Sequence, residues 1–345
     1  MQRRAAKQTK DTVIKIVGIA VATLLFFSIL LVVTDRIRKQ KEDEAASAPS
    51  SSWENPYEDE EIDPVVYFGG KPYVHKKNLE TVLFMGIDAE GEVKAEEGYR
   101  NHQQVDVLML CVIDHSAKTY QVININRDTF TRIPSIDTTG DRLGNIEAQI
   151  ALSHTYGSGL EDSCGYTAEA VSMLLMNEKV DHYISLNMSS IAILNKSVGG
   201  VEVTVPVDMT AVDPLFVEGA TILLTAEQAE EFIRGRMALE DDTNSSRMLR
   251  QEAYLHEWRL KAKQKMNADA TFALDLIADL SYYMVADQNL NGLSTLSGYL
   301  ADYEYLGKVS IEGENKMGEV YREFYPDQDK LKQLVMDIFY EEKPQ

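Results

Sequence analysis

The stretch QVDVLMLCVIDHSAKTYQVININRDTF, residues 104–130, holds two runs rich in Val and Ile, 105–113 and 120–126, joined by a polar turn at 114–118. Runs of this kind predict two strands. Ionisable groups stand only at their ends. Asp106 opens the first strand, and Arg127 and Asp128 follow directly after the second. Positions where a strand meets its loop are where an α/β sheet usually builds its site.

Working outward, TVLFMGI (81–87) predicts a short buried strand that ends at Asp88. A helix is expected over 167–176, a strand over 181–187, and a helix capped by Asn187 that runs to Val198. Gly199 and Gly200 stop that helix and open the strand 201–206. Thr225 and Gln228 have capping-box spacing at the head of TAEQAEEFIRG, and a long helix follows over 247–266. The tail predicts helices over 270–286, 293–303 and 327–340, with a strand-like GKVSI at 307–311. The expected fold class is α/β: a mixed central sheet flanked by helices on both faces.

Upstream of this, residues 16–33 (IVGIAVATLLFFSILLVV) carry no charge, and with Val13 and Ile14 they make about 20 residues, enough to cross a hydrocarbon core. The expected organisation is a cytoplasmic tail at 1–12, one transmembrane helix at 13–34, a Ser-, Pro- and charge-rich stalk at 35–64, and an extracellular domain at 65–345. Lys and Arg tie on the two flanks, so the inside N-terminus rests on the brevity of the tail and the length of the carboxyl-side domain. Ala46 and Ala48 make an A-x-A pattern, but it lies well beyond the apolar run and is followed by Pro49, which favours a retained anchor over a cleaved signal peptide.

The whole chain of 345 residues has a net charge of −21; beyond residue 34 the balance is 29 basic against 54 acidic groups. So acidic a domain argues against a nucleic-acid partner, because duplex affinity comes from Lys and Arg on phosphates. Cys111 and Cys164 fit no metal spacing. A disulfide between them requires an oxidising compartment, and Cys111, inside an apolar strand, reads better as a small buried hydrophobe. The six histidines form no zinc motif.

Five arginines carry the candidate chemistry. Arg234 and Arg236 flank Gly235 after a helix, and Arg247 and Arg250 share a helix face with Gln251 beside them. Arg247 falls in a first turn, against the positive end of the helix dipole, which is unfavourable unless an anion is held there. Arg127 could converge on the same anion, since guanidinium forks match phosphate geometry. The plainer reading is that these arginines are solvated or paired with Glu240, Asp241 and Asp242. Asp88 and Asp106 could hold Mg²⁺, or serve only as turn formers.

Taken together, VLFMGIDAEG, the 104–130 stretch, IALSHTYG, VDHYISLNMSSIAILNKSVGGVEVTVP, TAEQAEEFIRGRM and SSRMLRQEAYL resemble, in order and spacing over residues 79–260, the LytR-CpsA-Psr family. Residues 261–345 read as a helical extension. The resemblance implies a membrane-anchored phosphotransferase of a Gram-positive-type envelope that moves a glycopolymer from a polyprenyl-pyrophosphate carrier to peptidoglycan. It implies Mg²⁺ (or Mn²⁺) on Asp88 and Asp106, and a pyrophosphate site built from Arg127, Arg234, Arg236, Arg247, Arg250 and Gln251, with Gln104 at the place of a further arginine. Asp106 and Asp128 are both candidates to assist deprotonation of the acceptor. Three departures stand out: Gln104 replaces a family arginine, Asn126 a proline and Asn244 a frequent aspartate. Gln104 puts turnover in doubt and leaves a non-catalytic binder of lipid-linked polymers as the alternative. Membrane-bound transcriptional regulation fits the acidic exterior domain and short tail poorly.

Overall fold

The computed structural model describes residues 64–234, 244–269, 271–318 and 321–343. The expected tail, membrane helix and all but the end of the stalk lie outside the described residues. Among the described residues no helix is long and apolar enough to cross a membrane.

In chain order the strands are β1 (Val66–Phe68), β2 (Lys71–His75), β3 (Leu79–Ile87), β4 (Val105–Asp114), β5 (Thr119–Ile125), β6 (Phe130–Ile136), β7 (Arg142–Gln149), β8 (His182–Asn187), β9 (Glu202–Thr204), β10 (Thr221–Leu223), β11 (Met284–Ala286), β12 (Glu304–Ser310), β13 (Gly313–Met317), β14 (Arg322–Pro326) and β15 (Tyr340–Glu342). The helices are α1 (Glu161–Leu174), α2 (Ser190–Ser197), α3 (Ala226–Arg234), α4 (Asn244–Ala268), α5 (Phe272–Leu280), α6 (Leu290–Asp302) and α7 (Gln328–Phe339). Six strands form the central sheet in the order β11-β8-β3-β4-β5-β12. It is mixed: β3–β4, β4–β5 and β8–β11 are antiparallel, whereas β3–β8 and β5–β12 are parallel.

The expected hairpin is β4–β5, with turn and register set by the apolar runs that predicted it. Alternation along β3 and β4 divides the sheet's residues between two cores. Val82, Phe84, Met109 and Cys111 pack with Leu194, Phe232, Trp258, Leu276 and Leu296 of the helices on one face. Leu83, Met85, Leu108 and Leu110 pack with Val171, Leu174, Leu331 and Val335 on the other. Cys111 and Cys164 are both free, buried and in different cores, so the sheet itself separates them from a disulfide. Burial pushes the Cys164 thiol up to about 12, and the Cys111 thiol also upward, consistent with inert core residues.

Local expectations are met where a side chain satisfies a helix end. Thr225 and Gln228 form a reciprocal capping box, each backbone N–H donating to the other's side-chain oxygen at 3.2 Å. Gly199 and Gly200, at φ 78° and 86°, donate to the last carbonyls of α2.

Four expectations are corrected. Asn187 does not cap α2 with its side chain: its Nδ2 donates to the Gly91 carbonyl, and the helix begins three residues later. α1 starts at Glu161 rather than near 167, because Gly165 interrupts the apolar pattern without interrupting the helix. Residues 270–286 are not one helix: α5 passes into a short 3₁₀ turn, Ser281–Tyr283, and the chain then becomes β11 on the edge of β8. The tail after 261, expected to be helical apart from a strand-like segment, supplies both edge strands of the central sheet, the β13–β14 hairpin, and β15, which pairs with β2. Long-range pairing overrides local propensity there.

Candidate functional site

The site is assembled at one end of the central sheet, where β3 and β8 finish, β4 begins and β5 finishes. Asp88 follows β3, and its backbone N–H donates to the Gln104 carbonyl at 2.9 Å, lacing the two strand ends together. Pairing of β4 with β3 passes from Val107 opposite Gly86 to Val105 opposite Ile87, leaving Asp106 as the extra residue of a β-bulge. The bulge shifts the strand's phase, so that Val105 falls in the same core as Leu108 and Leu110. Bulges re-aim side chains at functional sites, and this one introduces the buried carboxylate.

Arg127 leaves the end of β5 and is buried. Its Nη1 donates to Asp106 Oδ1 and its Nη2 to Gln104 Oε1, while Nε lies 3.5 Å from Asp128 Oδ1. One guanidinium fork thus joins three of the predicted residues, which the planar geometry of arginine suits. Asp106 is sealed from solvent, but the Asp128 side chain keeps 29 % of its exposure. Burial pushes the Asp128 carboxyl above its ordinary value, against an opposing pull from Arg127 and Arg322. Of the two candidate bases, Asp128 is the one a substrate can reach.

Arg250 is also fully buried, within α4, and its Nη1 donates to the Phe232 carbonyl near the end of α3 at 2.7 Å. It therefore has a structural task, satisfying a helix-terminal carbonyl, whatever else it binds. Arg247 occupies the first turn of α4 and Arg234 the last position of α3. Arg236 lies outside the described residues, as do the side chains of Arg234, Arg247 and Gln251, so the structure brings together Asp88, Gln104, Asp106, Arg127 and Asp128 but leaves the rest of the arginine cluster unplaced.

Sequence reading missed the supports of this site. His154 Nδ1 donates to the Gln103 carbonyl at 2.9 Å, directly behind Gln104, and Asn101 ties the same loop to the His154 and Gly157 carbonyls. Gln149 Nε2 contacts Asp128 Oδ1 at 3.4 Å and the Arg322 carbonyl at 2.7 Å. Their only signal was membership of IALSHTYG in the case of His154; a lone buried histidine or glutamine has no spacing to betray it.

Burial holds the His154 ring neutral, lowering its pKa to about 4. The unfolded chain takes up that proton near pH 6.5, so stability is fully present above pH 6.5 and falls as pH drops toward 4, by about 3 kcal/mol. Urea unfolding between pH 7 and 4 should show this loss, and His154→Gln should flatten the slope; an unchanged slope in the variant would place the acid sensitivity elsewhere.

Asp88 and Asp106 on adjacent strand ends suit Mg²⁺, which takes one or two carboxylates and completes its shell with substrate phosphates and water. No group of three or more His, Cys, Asp or Glu side chains is arranged to hold a metal among the described residues. Asp106, sealed from solvent and paired with Arg127, would have to leave that fork before it could take an ion beside Asp88.

The site thus lies at one end of a mixed α/β sheet, where one buried guanidinium fork joins a sealed and an accessible carboxylate. The chain belongs to the LytR-CpsA-Psr family, whose model, described as LytR_cpsA_psr, matches residues 30–338. It is similar to the polyisoprenyl-teichoic acid–peptidoglycan teichoic acid transferase TagU of Bacillus anthracis, 28 % identical over 163 residues, which is 47 % of this chain and 46 % of TagU. The match thus spans about half the length of that relative. Among solved structures, TagV of B. subtilis superposes with a TM-score of 0.52 at 21 % identity, covering 76 % of this chain and 96 % of TagV. TagT bound to LI-WTA gives 0.51 at 20 % identity, covering 76 % and 90 %. These likenesses establish the fold.

Proposed function

We propose that this chain is a membrane-anchored phosphotransferase that moves a glycopolymer from a polyprenyl-pyrophosphate carrier to peptidoglycan. The observation that carries the reading is the Arg127 fork, held between Asp106 and Gln104 and beside the accessible Asp128, at the strand ends where the family resemblance puts its pyrophosphate site. The transferase activity of TagU and the LI-WTA bound to TagT belong to those proteins and support the same class of substrate here.

The chemistry follows from charge. An acceptor sugar hydroxyl forms a new oxygen–phosphorus bond to the polymer-side phosphorus, the bridging bond to the carrier phosphate breaks, and lipid phosphate leaves with the electron pair. The hydroxyl proton passes to Asp128. Arg127, with Arg234, Arg236 and Arg247, would stabilise charge gathering on the non-bridging oxygens. Mg²⁺ held by Asp88 and Asp106 would neutralise part of the same charge. Because its carboxyl is pushed upward, Asp128 as base gives turnover an acid limb that sits above the ordinary aspartate range and rises with pH. The apolar run at 13–34 anchors the domain outside the membrane, with the N-terminus in the cytoplasm.

A second reading, a non-catalytic binder of lipid-linked polymers, is favoured by one contact. Gln104 Oε1 accepts from Arg127 Nη2, so the amide that replaces a family arginine also engages a fork hydrogen that a phosphate would otherwise receive. The test is Mg²⁺-dependent cleavage of a short polyprenyl pyrophosphate by the full-length chain in detergent, with Asp88→Ala as the control. Cleavage that disappears in the control supports the transferase. Tight binding without cleavage, relieved by Gln104→Arg, supports the binder.

A further inference from the structure

The C-terminal hairpin β13–β14 reaches the candidate site. β14 runs beside the end of β5: Phe324 bridges Thr129 in parallel register, and its N–H donates to the Asp128 carbonyl at 2.8 Å. Continued back by two residues on each chain, that register sets Arg322 level with Arg127. Alternation along β14 puts Arg322 on the face of Phe324, which is buried with Leu331 and Val335. Glu323 takes the opposite face, where its carboxylate accepts from the Tyr325 hydroxyl at 2.6 Å. A second contact fixes the same approach. Gln149 Nε2 lies 2.7 Å from the Arg322 carbonyl oxygen and 3.4 Å from Asp128 Oδ1, so one amide nitrogen ties the head of β14 to the candidate base.

The Arg322 side chain itself is left for a ligand. It is exposed, and among the described residues its guanidinium makes no hydrogen bond and no ion pair; only its carbonyl is engaged. Its charge nevertheless reaches the site, because burial pushes the Asp128 carboxyl up and Arg322 opposes that shift together with Arg127. Arg127 has Nη1 committed to Asp106 and Nη2 to Gln104. Asp88, Asp106 and Asp128 outnumber it at the strand ends, so the described part of the site carries more negative than positive charge. Such a balance repels a diphosphate unless further cations face it.

We infer that Arg322 is a further phosphate-binding residue of this site, contributed by the C-terminal hairpin, and that it supplies the guanidinium charge absent at Gln104; the inference rests on the pyrophosphate site proposed above. The motifs that carry the family resemblance end near residue 260, so none of them marks this position. The unengaged fork of Arg322 can take two non-bridging oxygens side by side. The two arginines thus differ in kind: Arg127 is fixed by protein partners before any ligand arrives, and Arg322 is fixed by the ligand.

The test measures binding of geranyl pyrophosphate to the full-length chain in detergent by calorimetry, beside Mg²⁺-dependent cleavage of a short polyprenyl pyrophosphate. Arg322→Gln should weaken binding by about tenfold, and Arg322→Lys, which keeps the charge but not the fork, by about threefold. Adding Gln104→Arg to Arg322→Gln should recover most of the loss. Lys316→Gln, which removes an exposed cation of the same hairpin paired with Glu314, should stay within about twofold of the wild type and controls for net charge. Wild-type affinity in Arg322→Gln, an equal loss in Lys316→Gln, or no recovery in the double variant overturns the assignment of Arg322 and leaves the transferase reading standing. Binding that weakens in Arg322→Gln and recovers in the double variant, with no cleavage by the wild type, supports Arg322 and overturns the transferase reading. A wild type that does not bind the probe overturns both.

Discussion

Replacing Arg127 with Ala is expected to reduce pyrophosphate cleavage by a factor of about 10² to 10³ or more, the usual cost of removing one preorganised donor from a developing oxyanion. The structure adds a second effect. Asp106 is sealed from solvent and paired with that guanidinium, so the truncation also strands a buried carboxylate, at a cost of about 3–5 kcal/mol. Arg127→Lys separates the two effects, because it keeps a cation for Asp106 but cannot span Asp106 and Gln104 at once. Cleavage should be normalised to folded protein, with melting followed in parallel. Turnover near the wild-type level in both variants would remove Arg127 from the chemistry.

Trp258→Ala is expected to be the most damaging substitution away from the site, costing about 3–5 kcal/mol. The indole is fully buried in the core that joins α4 to the sheet, and its Nε1 donates to the Leu194 carbonyl at 2.8 Å. That bond belongs to a set that ties α4 down. Tyr254 donates to Asn195 Oδ1 at 3.2 Å, Asn195 Nδ2 donates to the Leu224 carbonyl at 2.9 Å, and Lys261 Nζ reaches the Gly200 carbonyl at 2.8 Å. Trp258→Phe retains most of the apolar bulk and loses the hydrogen bond, so it should cost about 1–2 kcal/mol. Urea denaturation compares the two; a loss under about 1 kcal/mol for Trp258→Ala would mean that α4 does not depend on this anchor.

The centre of the fold was legible because its signals are local. β4 and β5 announce themselves by continuous Val- and Ile-rich runs around a polar turn, and α3 by a capping box whose two hydrogen bonds are both present. β6 and β7 were not legible: Arg132, Pro134, Asn145 and Glu147 break any apolar alternation, and the pair is held by its antiparallel register instead. β11 was hidden for a related reason, since three residues after a helix carry no pattern of their own and become a strand only when β8 offers an edge. Within the site, Asp88, Asp106, Arg127 and Asp128 could be marked from their places at strand ends. The bulge that aims Asp106 could not, because it depends on how two strands slip past each other. The second task of Arg250, holding a helix-terminal carbonyl, was equally invisible from spacing.

The parallel pairing of β12 with β5 joins residues 304–310 to residues 119–125, so the sheet acquires one of its borders from chain made long after β5. During synthesis the β4–β5 hairpin can form early, but β5 then carries an open row of N–H and C=O groups until β12 arrives. A nascent or truncated chain ending before Glu304 would present a hydrophobic, unpaired strand to its neighbours. Truncation before Glu304 should therefore show itself as aggregation and lost yield, and it also removes Arg322 and Phe324, which lie against Asp128.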